Sequence, residues 1–172
     1  NDIKEQNMSF LKGKTAIITG AGYAKLSDGR CGSIGYGIAT AYAKEGANLV
    51  ITGRTESKLS KAKETLEKEY GVKVLAITAD GGKEEDVRNV IDKTVKEYGR
   101  IDVVVNNAQA SKSGVLLADH TKEDFDLAIY SGLYSTFYYM REALPFWKES
   151  SGSIINFASG AGLFGKLGQS SY

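Results

Sequence analysis

With 172 residues, the chain has room for one domain with a sizeable core. Its 22 basic and 21 acidic side chains leave a formal net charge of +1, too balanced to point to nucleic acid or to an anionic membrane surface. No apolar run is long enough to span a membrane, the opening stretch around Met8 lacks a signal-peptide pattern, and the single Cys31 excludes an internal disulfide and suits a reducing cytoplasm.

Taken in chain order, short β-rich runs alternate with segments of helical period. Thr15 to Thr19 is a buried-strand run ending at Gly20. An alanine-rich helix is expected over Ile34 to Glu45, with Ser33 as its N-cap. Asn48 to Thr52 is a second strand. Leu59, Ala62, Leu66 and Tyr70 keep helical spacing, and Gly71 stands where a helix stops. Val72 to Thr78 is a third strand. Val87, Ile91, Val95 and Tyr98 form another helix face, stopped by Gly99. Ile101 to Val105 is a fourth strand. Thr121 with Asp124 has capping-box spacing before a long helix through Phe125, Ile129, Leu133, Phe137 and Met140. Ser153 to Ala158 is a fifth strand.

This alternation predicts an α/β fold: a Rossmann-type doubly wound parallel sheet in one dinucleotide-binding domain over residues 1–172. The pattern does not close. After the fifth strand comes the Gly/Ser-rich stretch 160–171, and a sheet edge left there would be unpaired. The expectation is therefore an incomplete domain whose C-terminal part is missing.

A strand ending in glycine and feeding a helix is the phosphate site of such a fold. Glycine lets the backbone approach a pyrophosphate, and the helix N-terminus offers free N–H groups. Here the strand ends at Thr19-Gly20 and the helix opens at Ser33-Ile34-Gly35-Tyr36-Gly37. The end of the second strand reads Ile51-Thr52-Gly53-Arg54. An acidic residue there would bond a ribose 2′-hydroxyl, and a basic one pairs with a 2′-phosphate. Gly53 followed by Arg54 therefore points to NADP(H), although Arg54 alone is also compatible with a solvated loop.

These motifs resemble the short-chain dehydrogenase/reductase family. TG followed by GIG is its signature, and the match has two departures. Twelve residues, Ala21 to Gly32, separate Gly20 from Ser33, where the family usually has three, and Ser33 replaces the middle glycine. The excursion reads equally as a cofactor clamp or as plain surface. The resemblance implies cofactor contacts at Gly20, Ser33, Ile34, Gly35, Arg54, Asp80, Asn107 and Ala108. It places Asn106-Asn107-Ala108-Gln109 on the family's NNAG motif, with Gln109 departing from it. No metal site is expected.

The family's chemistry uses a tyrosine to move the proton, a serine to hold the substrate oxygen and a lysine four residues after the tyrosine. The resemblance puts the first two roles on Ser159 and Tyr172. That lysine would lie past the last residue, so the fragment itself is expected to be inactive. The family's structural asparagine on the long helix falls at Gly132, beside Ser131, which is a candidate replacement in the proton relay. The helix from Ile129 to Met140 is apolar or aromatic nearly all round. In the family the matching helix forms a dimer interface within a tetramer, which implies a homo-oligomer.

Across the whole chain, SIGYGIA, AYAKEGANLV, NNAQAS, IYSGLY, TFYYMRE and INFASGAGLFG are most similar to the bacterial bile-acid 12α-hydroxysteroid dehydrogenase branch. This implies NADP(H)-linked interconversion of a secondary alcohol and a ketone on a steroid, a small-molecule substrate, with no nucleic-acid or membrane partner. Two alternatives stay open. The SIxxGIA form also resembles enoyl-thioester reductases, against which Ser159 argues. An inactive truncated chain that binds nucleotide or associates with its own kind is the other.

Overall fold

The computed structural model describes residues 9–147 and 151–172. The opening stretch that contains Met8 lies outside them. Five strands form one parallel sheet in the order β3-β2-β1-β4-β5. They are β1 (Thr15–Thr19), β2 (Asn48–Gly53), β3 (Val74–Thr78), β4 (Val103–Asn106) and β5 (Ser153–Asn156). Between them run α1 (Ile34–Lys44), α2 (Glu56–Tyr70), α3 (Glu84–Tyr98), α4 (Lys122–Ala128) and α5 (Ser135–Ala143), and α6 (Ala161–Phe164) follows β5.

The alternation of side chains along each strand divides the core in two. Ala16 and Ile18, Leu49 and Ile51, and Val103 and Val105 face one side. They pack there on Tyr36, Ala39 and Ala43 of α1 and on Leu59, Ala62 and Leu66 of α2. Ile17, Val50, Ile77 and Val104 face the other side and pack on Val87, Val90 and Ile91 of α3 and on Tyr139 and Ala143 of α5. A central strand buried on both faces reads as a continuous apolar run, as β1 does. Each fully buried Val, Leu or Ile contributes roughly 1.5–3 kcal/mol of transfer free energy, so the register is firmly held.

The strands differ from the expected spans only at their ends. β3 starts at Val74 and β4 runs Val103–Asn106, because the parallel ladder pairs Leu49 with Val74 and Ala16 with Val103. Gly71 and Gly99 end α2 and α3 in left-handed conformation, φ 67° and 70°, which glycine adopts without strain. Thr121 and Asp124 make both bonds of a capping box at the start of α4.

The long helix departs from expectation. It is not one continuous α-helix. A π-helical segment, Ile129–Tyr134, separates α4 from α5. Ser131 lies inside it, and its Oγ donates to the Leu127 carbonyl at 2.6 Å and also meets the Ala110 backbone. A hydroxyl competing for the helical carbonyl is a known cause of such a break. Three short elements were not expected: the 3₁₀ turns Leu117–Asp119 and Leu144–Trp147, and α6 itself.

Among the described residues β5 pairs only with β4, and Ile155 and Phe157 are exposed on and just after it. Among the described residues no helix is long and apolar enough to cross a membrane.

Candidate functional site

The last residue of β1 organises the site. Thr19 is buried, and its Oγ1 accepts the backbone N–H groups of Asn107 (3.0 Å) and Ala108 (2.9 Å) while donating to the Val105 carbonyl (3.3 Å). The Asn107 amide returns the tie, its Nδ2 donating to the Thr19 carbonyl at 2.9 Å. One hydroxyl and one amide thus clamp the loop after β4 onto the loop after β1. Asn106 ties the same loop outward, donating to Oδ1 of Asn156 on β5 at 2.8 Å.

On this clamp sits the glycine cradle. Gly20 turns with φ 69°, and a Cβ on Gly35 would lie 2.2 Å from the Gly20 carbonyl oxygen and 2.6 Å from Asn107 Nδ2. Only glycine at position 35 lets the first turn of α1 come so close to β1. Ser33 caps that turn, its Oγ accepting the Tyr36 N–H at 3.4 Å. Gly35 lies beneath the cleft floor rather than in its wall.

The first cleft encloses about 290 Å³ and is walled by Gly20, Ser33, Arg54, Asp80 and Ala108, among others. Five of the eight expected cofactor residues therefore meet in one concave surface. The start of α1, capped at Ser33 and packed close on β1 through Gly35, is placed at this cleft as a pyrophosphate site requires, so these residues fit a dinucleotide. Asp80 is partly committed, its Oδ1 accepting the Gly82 N–H at 3.0 Å. Arg54 is exposed and, among the described residues, pairs with no carboxylate. Ser135 approaches the floor because position 81 is glycine: a Cβ there would stand 2.2 Å from Ser135 Oγ. Tyr139 closes the bottom, its hydroxyl bonded to Thr52 Oγ1 (3.4 Å), and burial pushes its phenol up to about 12, so it stays protonated.

The second cleft, about 400 Å³, lies across the Asn107-Ala108-Gln109 wall. Ile34, Leu133 and Phe157 give it an apolar lining, and Ser159 and Tyr172 face into it. Ser159 follows β5, where its Oγ accepts the Ala161 N–H at 3.2 Å. Tyr172 is half exposed, its N–H bonded to the Gln169 carbonyl. The segment before it is pinned to the loop after β4. Gly114 N–H donates to Gly168 at 2.7 Å, and His120 Nε2 bonds Ser171 Oγ at 2.9 Å. Asn107 and Ala108 line this cleft too, and Ala108 and Gln109 are common to both.

Ser131 does not face Tyr172's cleft. It lines the first cleft and holds the Ala110 backbone, accepting its N–H at 2.9 Å, with the Ala110 carbonyl 3.0 Å away as a second acceptor for the proton it shares with Leu127. Gly132 does line the second cleft, and a Cβ on it would stand 3.2 Å from Cγ of Gln109. The two departures from the family motifs thus lie side by side: a side chain at 132 would press on Gln109, which would have to give by a few tenths of an ångström.

Sequence reasoning missed Thr19, Tyr23 and Lys58, all in the first cleft. The hydroxyl ending β1 was a readable signal for Thr19. Lys58, in the first turn of α2, carried no signal that set it apart from Lys61 and Lys63 of the same helix. Among the described residues no group of three His, Cys, Asp or Glu side chains is arranged to hold a metal ion.

The short chain dehydrogenase family model matches residues 14–172. The chain is 60% identical over 169 residues to a 12alpha-hydroxysteroid dehydrogenase of Clostridium sp. (strain ATCC 29733 / VPI C48-50), covering 96% of this chain and 62% of that protein. Among solved structures, an alcohol dehydrogenase from the archaeon Thermococcus sibiricus complexed with 5-hydroxy-NADP superposes with a TM-score of 0.81 at 28% identity, over 92% of this chain and 63% of that one. An NAD+-bound xylitol dehydrogenase superposes with a TM-score of 0.80 at 25% identity, over 94% and 59%. The chain thus spans about three fifths of the length of these relatives.

Proposed function

The chain belongs to the short chain dehydrogenase family, and from that premise we propose that the protein is an NADP(H)-dependent oxidoreductase interconverting a secondary alcohol and a ketone on a hydroxysteroid of the bile-acid type. One observation carries the reading. A glycine-floored cleft and an apolar cleft holding Ser159 and Tyr172 meet at the Asn107-Ala108-Gln109 wall. That is where a nicotinamide carbon and an alcohol carbon would face each other. The cofactor would be held by Gly20, Ser33, Ile34, Gly35, Arg54, Asp80, Asn107 and Ala108, and when bound it supplies the hydride acceptor or donor. Tyr172 takes the hydroxyl proton as the alcohol is oxidised and returns it as the ketone is reduced. The Ser159 hydroxyl holds the same oxygen.

The NADP(H) choice rests on Gly53 and Arg54 at the end of β2, where no carboxylate opposes a 2′-phosphate. The steroid choice rests on the 60%-identical relative and on the Ile34, Leu133 and Phe157 lining, which suits an apolar ring system. Ser159 in the cleft favours alcohol–ketone chemistry over enoyl reduction. The protein works as a homo-oligomer, a second copy covering the exposed face of Phe125, Tyr130, Leu133, Tyr134 and Phe137. The free, exposed Cys31 suits the reducing cytoplasm.

The test is NADPH oxidation by the full-length protein with a panel of oxo-bile acids. Turnover that is lost in Tyr172→Phe and strongly reduced in Ser159→Ala is expected. No turnover with any member removes the steroid assignment, and a faster rate with NADH than with NADPH removes the cofactor assignment.

A further inference from the structure

We propose that the first residues of the Ala21–Gly32 excursion and Lys58 of α2 together form a second half of the 2′-phosphate site. Lys58 acts there with Arg54, and the excursion holds Lys58 in place. The proposal rests on the NADP(H) reading above and names a specificity residue that this reading does not contain.

Three observations lead to it. The first concerns free charge. Four cations lie on or beside this end of the cleft: Lys25, Arg54, Lys58 and Lys61. Lys25 pairs with Glu69 at 3.7 Å. Lys61 sits over the Tyr23 ring, 4.4 Å from its centroid. Arg54 and Lys58 both line the cleft, and among the described residues neither pairs with a carboxylate. The acidic group in the same wall is Asp80, engaged with the Gly82 N–H. Glu56 is exposed on the same first turn of α2 but does not line the cleft. Two uncommitted cations four residues apart, against one partly committed carboxylate, make a site for a dianion.

The second observation is how Lys58 is held. The Tyr23 N–H donates to the Lys58 carbonyl at 2.9 Å. Gly22 packs on the stem of the lysine, so that a Cβ at position 22 would stand 3.1 Å from Lys58 Cβ and 3.9 Å from its Cδ. The backbone of the excursion therefore bounds the space the lysine stem occupies. An ordered stem lowers the entropy that a long side chain loses on gripping an anion.

The third is the anchoring of the excursion. It is a closed hairpin and not a loose flap. Lys25 bridges Cys31, Gly32 N–H donates to Ala24 at 2.8 Å and Leu26 N–H to Arg30 at 2.9 Å. The Tyr23 ring packs against the buried Tyr36 of α1 with centroids 5.1 Å apart. Gly22, Tyr23 and Ala24 line the cleft, whereas residues 26–32 are exposed. The two readings of the excursion thus divide along its length: its start is cofactor wall, and the rest is a surface hairpin that pins the wall to α1 and α2.

The experiment measures dissociation constants of NADPH and NADH by cofactor fluorescence on the full-length protein at low ionic strength. Adenosine 2′,5′-bisphosphate and adenosine 5′-monophosphate serve as competitors. Lys58→Ala is expected to weaken NADPH and the bisphosphate about tenfold while leaving NADH and the monophosphate nearly unchanged, the loss of one charge-assisted contact. Lys58→Arg restores most of the preference. Gly22→Ala, which displaces the lysine stem, shifts NADPH in the same direction with an unchanged melting temperature. If Arg54→Ala lowers the NADPH preference and Lys58→Ala does not, this inference is overturned and the NADP(H) reading stands. If neither variant changes the NADPH-to-NADH ratio, both fall. Equal weakening of NADPH and NADH in Lys58→Ala also overturns the inference.

Discussion

Gly35 and Gly37 stand two residues apart in the first turn of α1, and the structure assigns them opposite tolerances. In Gly35→Ala the new Cβ lies 2.2 Å from the Gly20 carbonyl oxygen, 2.8 Å from its carbon and 2.6 Å from Asn107 Nδ2. Comfortable carbon contacts begin near 3.5 Å. The obstacle is backbone, so no rotamer change relieves it, and α1 must move away from β1. Overpacking of this kind costs roughly 1–3 kcal/mol. Loss of the Asn107–Thr19 bond adds about 1 kcal/mol. The helical gain of alanine over glycine returns about 0.5–1 kcal/mol. The net cost is about 2–3 kcal/mol, or a fall of roughly 5–10 °C in Tm for a domain of this size. In Gly37→Ala the nearest atom is Cys31 Cβ at 3.7 Å, an ordinary contact. Only the helical gain remains, and Tm rises by about 1–4 °C. Thermal melts by far-UV circular dichroism read both, and cofactor fluorescence reads the weaker binding expected for Gly35→Ala alone. A Gly35→Ala protein melting at or above the parent, or two variants shifting with the same sign, refutes the account of the cradle.

Four further outcomes follow from the same geometry. Thr19→Val leaves the Asn107 and Ala108 N–H groups without their shared acceptor and is expected to cost about 2–4 kcal/mol, with Thr19→Ser near neutral, as read by urea midpoints. Burial opposes ionisation of Asp102, but the Arg100 guanidinium, the Thr15 N–H and Lys14 outweigh it and hold the carboxyl below its usual value. Its stabilisation is therefore complete above the unfolded pKa of about 3.9 and is lost as pH falls through the folded value. Asp102→Asn should be less stable at neutral pH by a gap that closes in acid, and a gap independent of pH would contradict this. Gly132→Asn alone should destabilise by crowding Gln109, and Gln109→Gly in the same chain should relieve it. A double-mutant cycle is expected to give a coupling of about 0.5–3 kcal/mol, and additivity would mean the two positions do not compete. Phe137→Asp on the exposed aromatic face should lower the mass seen by light scattering without lowering cofactor affinity, and an unchanged mass would place the interface elsewhere.

Much of the fold was legible because its causes are local. A period of two in the strands, a period near 3.6 in the helices, Ser33 and Thr121 at helix starts and Gly71 and Gly99 at helix stops each depend on residues within a turn of one another. At the π-helical segment the bond from Ser131 to the Leu127 carbonyl is local, but its second tie, to the Ala110 backbone 21 residues away, was not legible. The candidate site divides the same way. The glycine turn after β1 and the charge of Arg54 are visible by residue type alone, and both line the first cleft. The clamp that holds the site open does not, since Thr19 finds its partners 86 to 89 residues along the chain.

The sequence by itself thus determined the alternating α/β order, the glycine turn after β1, the missing acid at the end of β2 and the serine and tyrosine that follow β5. Tertiary structure alone decided which glycine the cradle requires, that Lys58 joins Arg54 in one wall, and that Gln109 lies beside Gly132. The physical reason is reach. Propensity, capping and periodicity act over about four residues, whereas steric exclusion and hydrogen-bond partnership at the site act between segments that only the closed sheet brings within 3 Å.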